Sequence, residues 1–200
     1  MLISVVIQIF VPELLFTGAG VTLVVVAMYV AVENPVSKYK QQAFFDMGTG
    51  LRNRNSYDED IKSLEQRLTY QSEKTEITYI ICDLNDLKKA NDTYGHTYGD
   101  DLIRLAARLL TTHFKHAYRI YRIGGDEFAT LYINEKPAVI ENEIQMLKKG
   151  SESAKTSCGL PFSMALGYAT TNEFATLQET IRSADKKMYE NKAIMKSAQQ

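Results

Sequence analysis

Two glycines followed by two acids, Gly124-Gly125-Asp126-Glu127, carry the clearest chemical signal in this chain. They lie between two apolar, β-prone runs, His116–Ile123 and Phe128–Ile133, and so read as the tip of a hairpin. Glycine there supplies the positive φ that a tight turn needs and lets another molecule's phosphates approach the backbone. Two carboxylates with no base beside them call for a cation; the alternative is an ordinary glycine-rich turn with solvated acids. A third acid weighs against that alternative. Ile77–Cys82 has the β-branched, apolar pattern of a buried strand, and it ends in Asp83 before a polar turn. An acid at the end of a buried strand is where sheets flanked by helices place ligand sites. If the two strands are neighbours, Asp83 meets Asp126 and Glu127. Oxygen donors alone suit Mg²⁺, which keeps waters and substrate phosphates in its shell. No Cys/His cluster competes for a softer metal.

Four blocks then occur in order. Asp46 to Arg54 reads D-M-G-T-G-L-R-N-R, and Asp83 to Asp100 reads D-L-N-D-L-K-K-A-N-D-T-Y-G-H-T-Y-G-D. Arg122–Phe128 is R-I-G-G-D-E-F. Phe162–Ala169 is followed by Ala184, Asp185, Met188, Tyr189 and Lys192. Together they resemble the GGDEF domain family, the diguanylate cyclases, over roughly Asp46 to Lys196. Gly48 replaces a usual leucine, and Asn85 stands where the family usually has a second acid.

The resemblance implies condensation of two GTP molecules into cyclic di-GMP with release of two pyrophosphates. The 3′-hydroxyl of one GTP attacks the α-phosphate of the other, a step that needs two metals or an equivalent clamp and the removal of a proton. By resemblance, Asp83, the Leu84 carbonyl and Asp126 are Mg²⁺ ligands, with two ions per site and Mn²⁺ as a substitute. Glu127 is an acid tied to metal and catalysis, and which of Asp126 and Glu127 takes the proton stays open. Asn91 and Asp100 stand where the family reads the guanine edge, although Asn91 also suits a plain turn. His96 reads equally as a helix-start cap or a substrate contact. Lys88, Lys192 and Lys196 match cations around the triphosphate. Lys196 replaces a frequent arginine, with Met195 in place of the preceding glycine, and lysine lacks the bidentate fork. Arg122 serves the dimer or the product, or pairs with a carboxylate. Many relatives carry an R-x-x-D product-inhibition site before the hairpin; here Lys115 and Tyr118 occupy those positions, so an inhibitory product site is not expected. A silent GGDEF module that binds GTP and signals by contact is the alternative to a cyclase. One hairpin and one acid cluster per domain imply a homodimer for catalysis.

The elements that must position these residues follow from periodicity. Val36–Phe45 reads as a connecting helix. Asn53 is a helix cap before Ser56–Gln71, where Ile61, Leu64 and Leu68 share a face. Asp86–Tyr94 is a short helix or turn, His96–His113 a helix, Pro137–Lys149 a helix with proline in its first turn, Phe162–Ala169 a strand and Leu177–Lys196 a closing helix. The pattern is α+β with a mixed sheet, and the resemblance implies about five strands wrapped by helices in the palm-like cyclase fold.

The chain has 200 residues, 45% apolar and 24% charged, with a net charge of −1. That length allows one domain and an appendage, and the charge offers no bulk attraction to nucleic acid. Cys82 and Cys158 lie in apolar runs and read as buried small hydrophobes in a reducing compartment. Leu14–Val32 is 19 residues without a charge, long enough at about 1.5 Å per residue to nearly cross a ~30 Å hydrocarbon layer. It is expected to be a transmembrane helix that ends at Glu33-Asn34-Pro35. Met1–Val11 looks like the tail of a preceding span in a longer receptor. Lys38, Lys40, Arg52 and Arg54 follow, which places the rest in the cytoplasm. The expected organisation is 1–35 membrane segment, 36–45 connecting helix and 46–200 cyclase domain.

Overall fold

The computed structural model describes residues 42–70, 75–156 and 162–198, with Val21, Thr22 and Gly159. Nearly all of Leu14–Val32, most of the connecting helix Val36–Phe45, and Cys158 lie outside the described residues. Among those described, no helix is long and apolar enough to cross a membrane. Two compact units divide the chain, Met1–Gln42 and Ala43–Gln200, and only the second is described in detail.

In that unit the elements run α1 (Arg54–Tyr70), β1 (Ile77–Leu84), α2 (Leu87–Tyr94), α3 (His96–His113), β2 (Arg119–Arg122), β3 (Glu127–Ile133), α4 (Pro137–Ser153), β4 (Met164–Thr170) and α5 (Leu177–Ser197). Asn53 caps α1 as its sequence position suggests, its Oδ1 accepting from Ser56 N at 3.1 Å. The closing helix α5 starts in a capping box. Glu179 N donates to Thr176 Oγ1 at 3.1 Å and Thr176 N donates to Glu179 Oε2 at 3.2 Å, so two otherwise orphaned donors are satisfied.

The sheet order is β2-β3-β1-β4, and every strand pair is antiparallel. This corrects the expectation of a mixed sheet of about five strands: the described residues form four. Each helical crossover does return the chain parallel to the strand it left, but never beside it. The hairpin strand β3 intercalates between β1 and β2, and β1 separates β3 from β4, the split β-α-β arrangement. One parallel bridge, Arg52 with Tyr121, is the only parallel pairing among the described residues.

Helices cover both faces, so all eight residues of β1 are buried, which is why it reads as a near-continuous apolar run. Ile80, Cys82 and Leu84 face α2, α3 and α4 with Phe128 and Tyr132. Ile77, Tyr79 and Ile81 face α1 and α5 with Ala129, Leu131, Leu177 and Met188. The α5 packing is close: a Cβ on Gly167 of β4 would meet Ala184 O at 2.2 Å. Cys82 is a free, buried thiol whose pKa burial pushes well up, so it packs as a protonated hydrophobe.

Strand β2 begins at Arg119, not at His116 as the apolar run suggests. The carboxylate of Glu143 on α4, only 6% exposed, takes the backbone donors there. Lys115 N and His116 N donate to its Oε1 at 3.0 and 3.2 Å, and the Tyr132 hydroxyl donates to its Oε2 at 2.7 Å. The turn is thereby held by a side chain before the ladder starts.

Candidate functional site

The register of the central pair decides the site. Asp83, the seventh residue of β1, lies directly opposite Glu127, the first residue of β3. Both follow the alternation of Tyr79, Ile81, Ala129 and Leu131 and so project on the α1/α5 face. Leu84 N donates to Asp126 O at 2.9 Å, which pins the hairpin tip to the end of β1. The three acids singled out from sequence are thus brought to one end of the sheet.

The hairpin tip differs from the sequence expectation in one respect. Neither Gly124 nor Gly125 has a positive φ. At Gly124 the constraint is spatial instead. A Cβ on Gly124 would lie 2.8 Å from Glu127 Oε2, and Gly125 has open space around it. Arg122 braces the tip from behind. Its Nη2 donates to Gly125 O at 2.9 Å, and its Nη1 reaches both oxygens of Asp46, at 3.2 and 3.1 Å. Asp46 also accepts from Thr49 N and Thr49 Oγ1 at 2.9 and 2.7 Å. Burial raises the pKa of this carboxyl, but the Thr49 and Arg122 contacts outweigh burial and leave it below the usual value. Of the roles open for Arg122, pairing with a carboxylate is the one the geometry supplies.

Four lysines, Lys88, Lys89, Lys192 and Lys196, line a cavity of about 440 Å³ together with Leu84, Asp126 and, at α2, Asp86 and Asp92. Lys192 crosses to the strand end, its Nζ donating to Asp83 Oδ1 at 2.5 Å. Asp86, which leads into α2, adopts a left-handed conformation with φ 58°, tolerated by an aspartate and common at functional turns. Lysines and Asp126 in one cavity suit a polyanion bound with a cation.

Glu127 lines a different cavity, of about 470 Å³, with Arg54, Tyr57, Tyr79 and Asp185. Burial first, and then the carboxylates of Asp126, Asp83 and Asp185, push its pKa above the usual range, with Arg54 opposing. Asp185 is likewise raised by burial. The sequence assigns Asp185 no role, but its spacing to Lys192 and Lys196 (i, i+7, i+11) on α5 puts all three on one helix face.

The residues expected at the guanine edge are less convergent. Asn91, on α2, has its Oδ1 buried with no partner, beneath Gly99 of α3, where a Cβ would lie 2.0 Å from that oxygen. Asp100 and His96 are exposed at the start of α3. The largest cavity described, about 710 Å³ and mostly apolar, holds neither Asp83 nor Asp126. Asn85 lines it, its Nδ2 donating to Ser163 Oγ at 2.8 Å. At the positions of the usual product site, Lys115 lies in the turn held by Glu143, and Tyr118 is 43% exposed with the Arg119 guanidinium 4.9 Å from its ring centre.

Among the described residues, no three His, Cys, Asp or Glu side chains converge as a self-sufficient metal cage. The donor set at the strand end is all oxygen, from Asp83, Asp126 and the Leu84 backbone. Such a set fits a hard divalent cation that brings waters and phosphate oxygens of its own.

The profile described as "Diguanylate cyclase, GGDEF domain" matches residues 43–198. The chain belongs to the GGDEF family. It is 31% identical over 154 residues to the probable diguanylate cyclase DgcI of Escherichia coli (strain K12), covering 75% of this chain and 31% of that one. Identity to the diguanylate cyclase DgcS of Shewanella oneidensis is 31% over 153 residues, covering 76% of this chain and 50% of the relative. The chain therefore matches half or less of the length of these GGDEF relatives. An uncharacterized membrane protein of Staphylococcus aureus (strain USA300) is 24% identical over 156 residues, 75% of this chain and 43% of that one. Among solved structures, the coiled coil and GGDEF domain of DgcB from Caulobacter crescentus, in complex with c-di-GMP, superposes with a TM-score of 0.73. It is 22% identical and covers 84% of this chain and 90% of that one, a likeness of fold.

Proposed function

We propose that this GGDEF domain is an active diguanylate cyclase, joining two GTP molecules into cyclic di-GMP with loss of two pyrophosphates. One observation carries the reading: Asp83 and Glu127 stand opposite each other across β1 and β3, next to a cavity lined by Asp126, Lys88, Lys192 and Lys196, whose Lys192 reaches Asp83. A triphosphate fits the lysine wall, where positive charge offsets its own. Asn91 and Asp100 read the guanine edge, and the unpartnered Asn91 oxygen suits a base N–H. Asp126 or Glu127 accepts the proton of the attacking 3′-hydroxyl; a new O3′–Pα bond forms as the bond from Pα to the bridging oxygen of the leaving pyrophosphate breaks. Asp83, Asp126 and the Leu84 carbonyl would hold Mg²⁺, or Mn²⁺ in its place. Such an ion, when bound, neutralises charge on the transferring phosphoryl group.

The product contains two guanosines and each domain offers one such site, so two domains must face each other in a homodimer. Leu14–Val32 is the proposed membrane anchor, with the catalytic domain in the cytoplasm. Incubating the chain with GTP and Mg²⁺ and resolving the nucleotides tests the reading. Cyclic di-GMP and pyrophosphate in a 1:2 ratio are expected; GTP bound but unconverted would leave a silent module.

A further inference from the structure

We infer that Lys192 guards the cation site: in the nucleotide-free domain its ammonium occupies the place at Asp83 that a divalent cation would take, so cation and triphosphate bind interdependently. The inference rests on the proposed reading of Asp83 as a cation ligand, and it concerns the order in which the site fills.

Three observations carry it. Asp83 and Glu127 are cross-strand partners on one face, and like charges so placed repel at a separation the ladder does not let them relax. The Asp83 side chain is only 9% exposed, so water screens that repulsion poorly. A cation there relieves the repulsion, and Lys192 supplies it. Second, no three acid, His or Cys side chains converge among the described residues. A bare cation would gain few protein ligands for displacing an ammonium already in contact. Third, Lys192 also lines the cavity with Lys88, Lys196 and Asp126. Its flexible stem can swing from carboxylate to phosphate without moving α5, whose start is locked by the Thr176–Glu179 box.

A triphosphate therefore does two things at once. Its oxygens draw Lys192 away from Asp83, and they supply the ligands the protein lacks. Without it, divalent cation binding is suppressed, and Asp83 stays paired with the lysine.

The experiment is Mn²⁺ binding to the full chain without nucleotide, read by electron paramagnetic resonance, which follows free aqueous Mn²⁺ and needs no turnover. An opposite charge in contact changes a carboxylate's affinity for a cation, the proton included, by about tenfold or more. Lys192→Met should accordingly bind Mn²⁺ about tenfold or more tightly than the unmodified chain, and Lys192→Arg should stay weak. Adding Asp83→Asn to Lys192→Met should erase the gain. Unchanged or weaker binding by Lys192→Met, with Lys192→Gln as a second neutral variant if the first misfolds, overturns the inference. So does a gain that survives Asp83→Asn. Failure of the cyclase reading shows separately, as absence of cyclic di-GMP from the unmodified chain.

Discussion

Asp126 is the residue on which the proposed chemistry turns. It lines the lysine-walled cavity while its carbonyl accepts from Leu84 N, so its backbone serves the fold and its side chain faces the ligand space. Asp126→Asn keeps the shape and removes the charge. It is expected to abolish cyclic di-GMP formation with little change in thermal unfolding, checked by product chromatography and calorimetry on the same preparation. Near-normal turnover would remove Asp126 from the site. Asp46 is a structural counterpart. Its folded pKa is depressed below 3.8, so its contribution to stability is fully present above that value and is lost as pH falls through the folded value. Asp46→Asn should cost about 1.5–3 kcal/mol at pH 7, the range for hydrogen bonds to a charged group. The difference should shrink as pH drops below about 4. Denaturant unfolding of both proteins across pH 2–7 measures it; a pH-independent difference would mean the Arg122 and Thr49 contacts do not depend on the Asp46 charge.

At the scale of elements, the α3–β2 turn is held by Glu143 and carries Lys115 and Tyr118 in place of the usual arginine and aspartate. Without the guanidinium fork and the acid, this surface lacks the bidentate chemistry for a cyclic dinucleotide. Cyclic di-GMP should inhibit only weakly, and only in competition with GTP. Lys115→Arg together with Tyr118→Asp should add a tighter, non-competitive phase. Both positions lie outside the sheet, and Glu143 binds the backbone N–H of Lys115, not its side chain, so the double variant should fold. Steady-state inhibition patterns decide the matter: strong non-competitive inhibition of the unmodified chain would contradict it.

For the whole molecule, the proposed reaction builds its product from two nucleotides, and with one acid cluster per domain it would require two domains to meet with 3′-hydroxyl against α-phosphate, in a two-fold arrangement. A connecting helix of the length expected for Val36–Phe45 would be too short for a stable coiled coil, so in the proposed mechanism dimerisation would come from the membrane segment or from further upstream sequence, through effective concentration. The unit Ala43–Gln200 by itself should be mainly monomeric, with specific activity that climbs as protein concentration rises. Fusing it to a dimeric coiled coil should lift activity at low concentration. Constant specific activity across a broad dilution series, in a fragment shown to be monomeric by sedimentation, would refute the two-domain mechanism.

The sequence by itself determined the element types, because apolar periodicity, the proline at the start of α4, the Asn53 cap and the break at Gly95 are local signals. The ordered blocks also determined the family and named the acids and lysines. Tertiary structure alone decided what those residues do to one another. Which acids face each other depends on register, and a one-residue slip of β3 would have put Glu127 on the opposite face from Asp83. The antiparallel order of the sheet was hidden for the same reason: helical crossovers announce parallel strands but not which strand comes between them. The Lys192–Asp83 pair spans 109 positions and the Arg122–Asp46 pair 76, and no local pattern encodes such contacts. Even the glycines of the hairpin misled, since their conformational freedom is a local property, whereas the crowding of Gly124 by the Glu127 carboxylate exists only once the strand has folded back on itself.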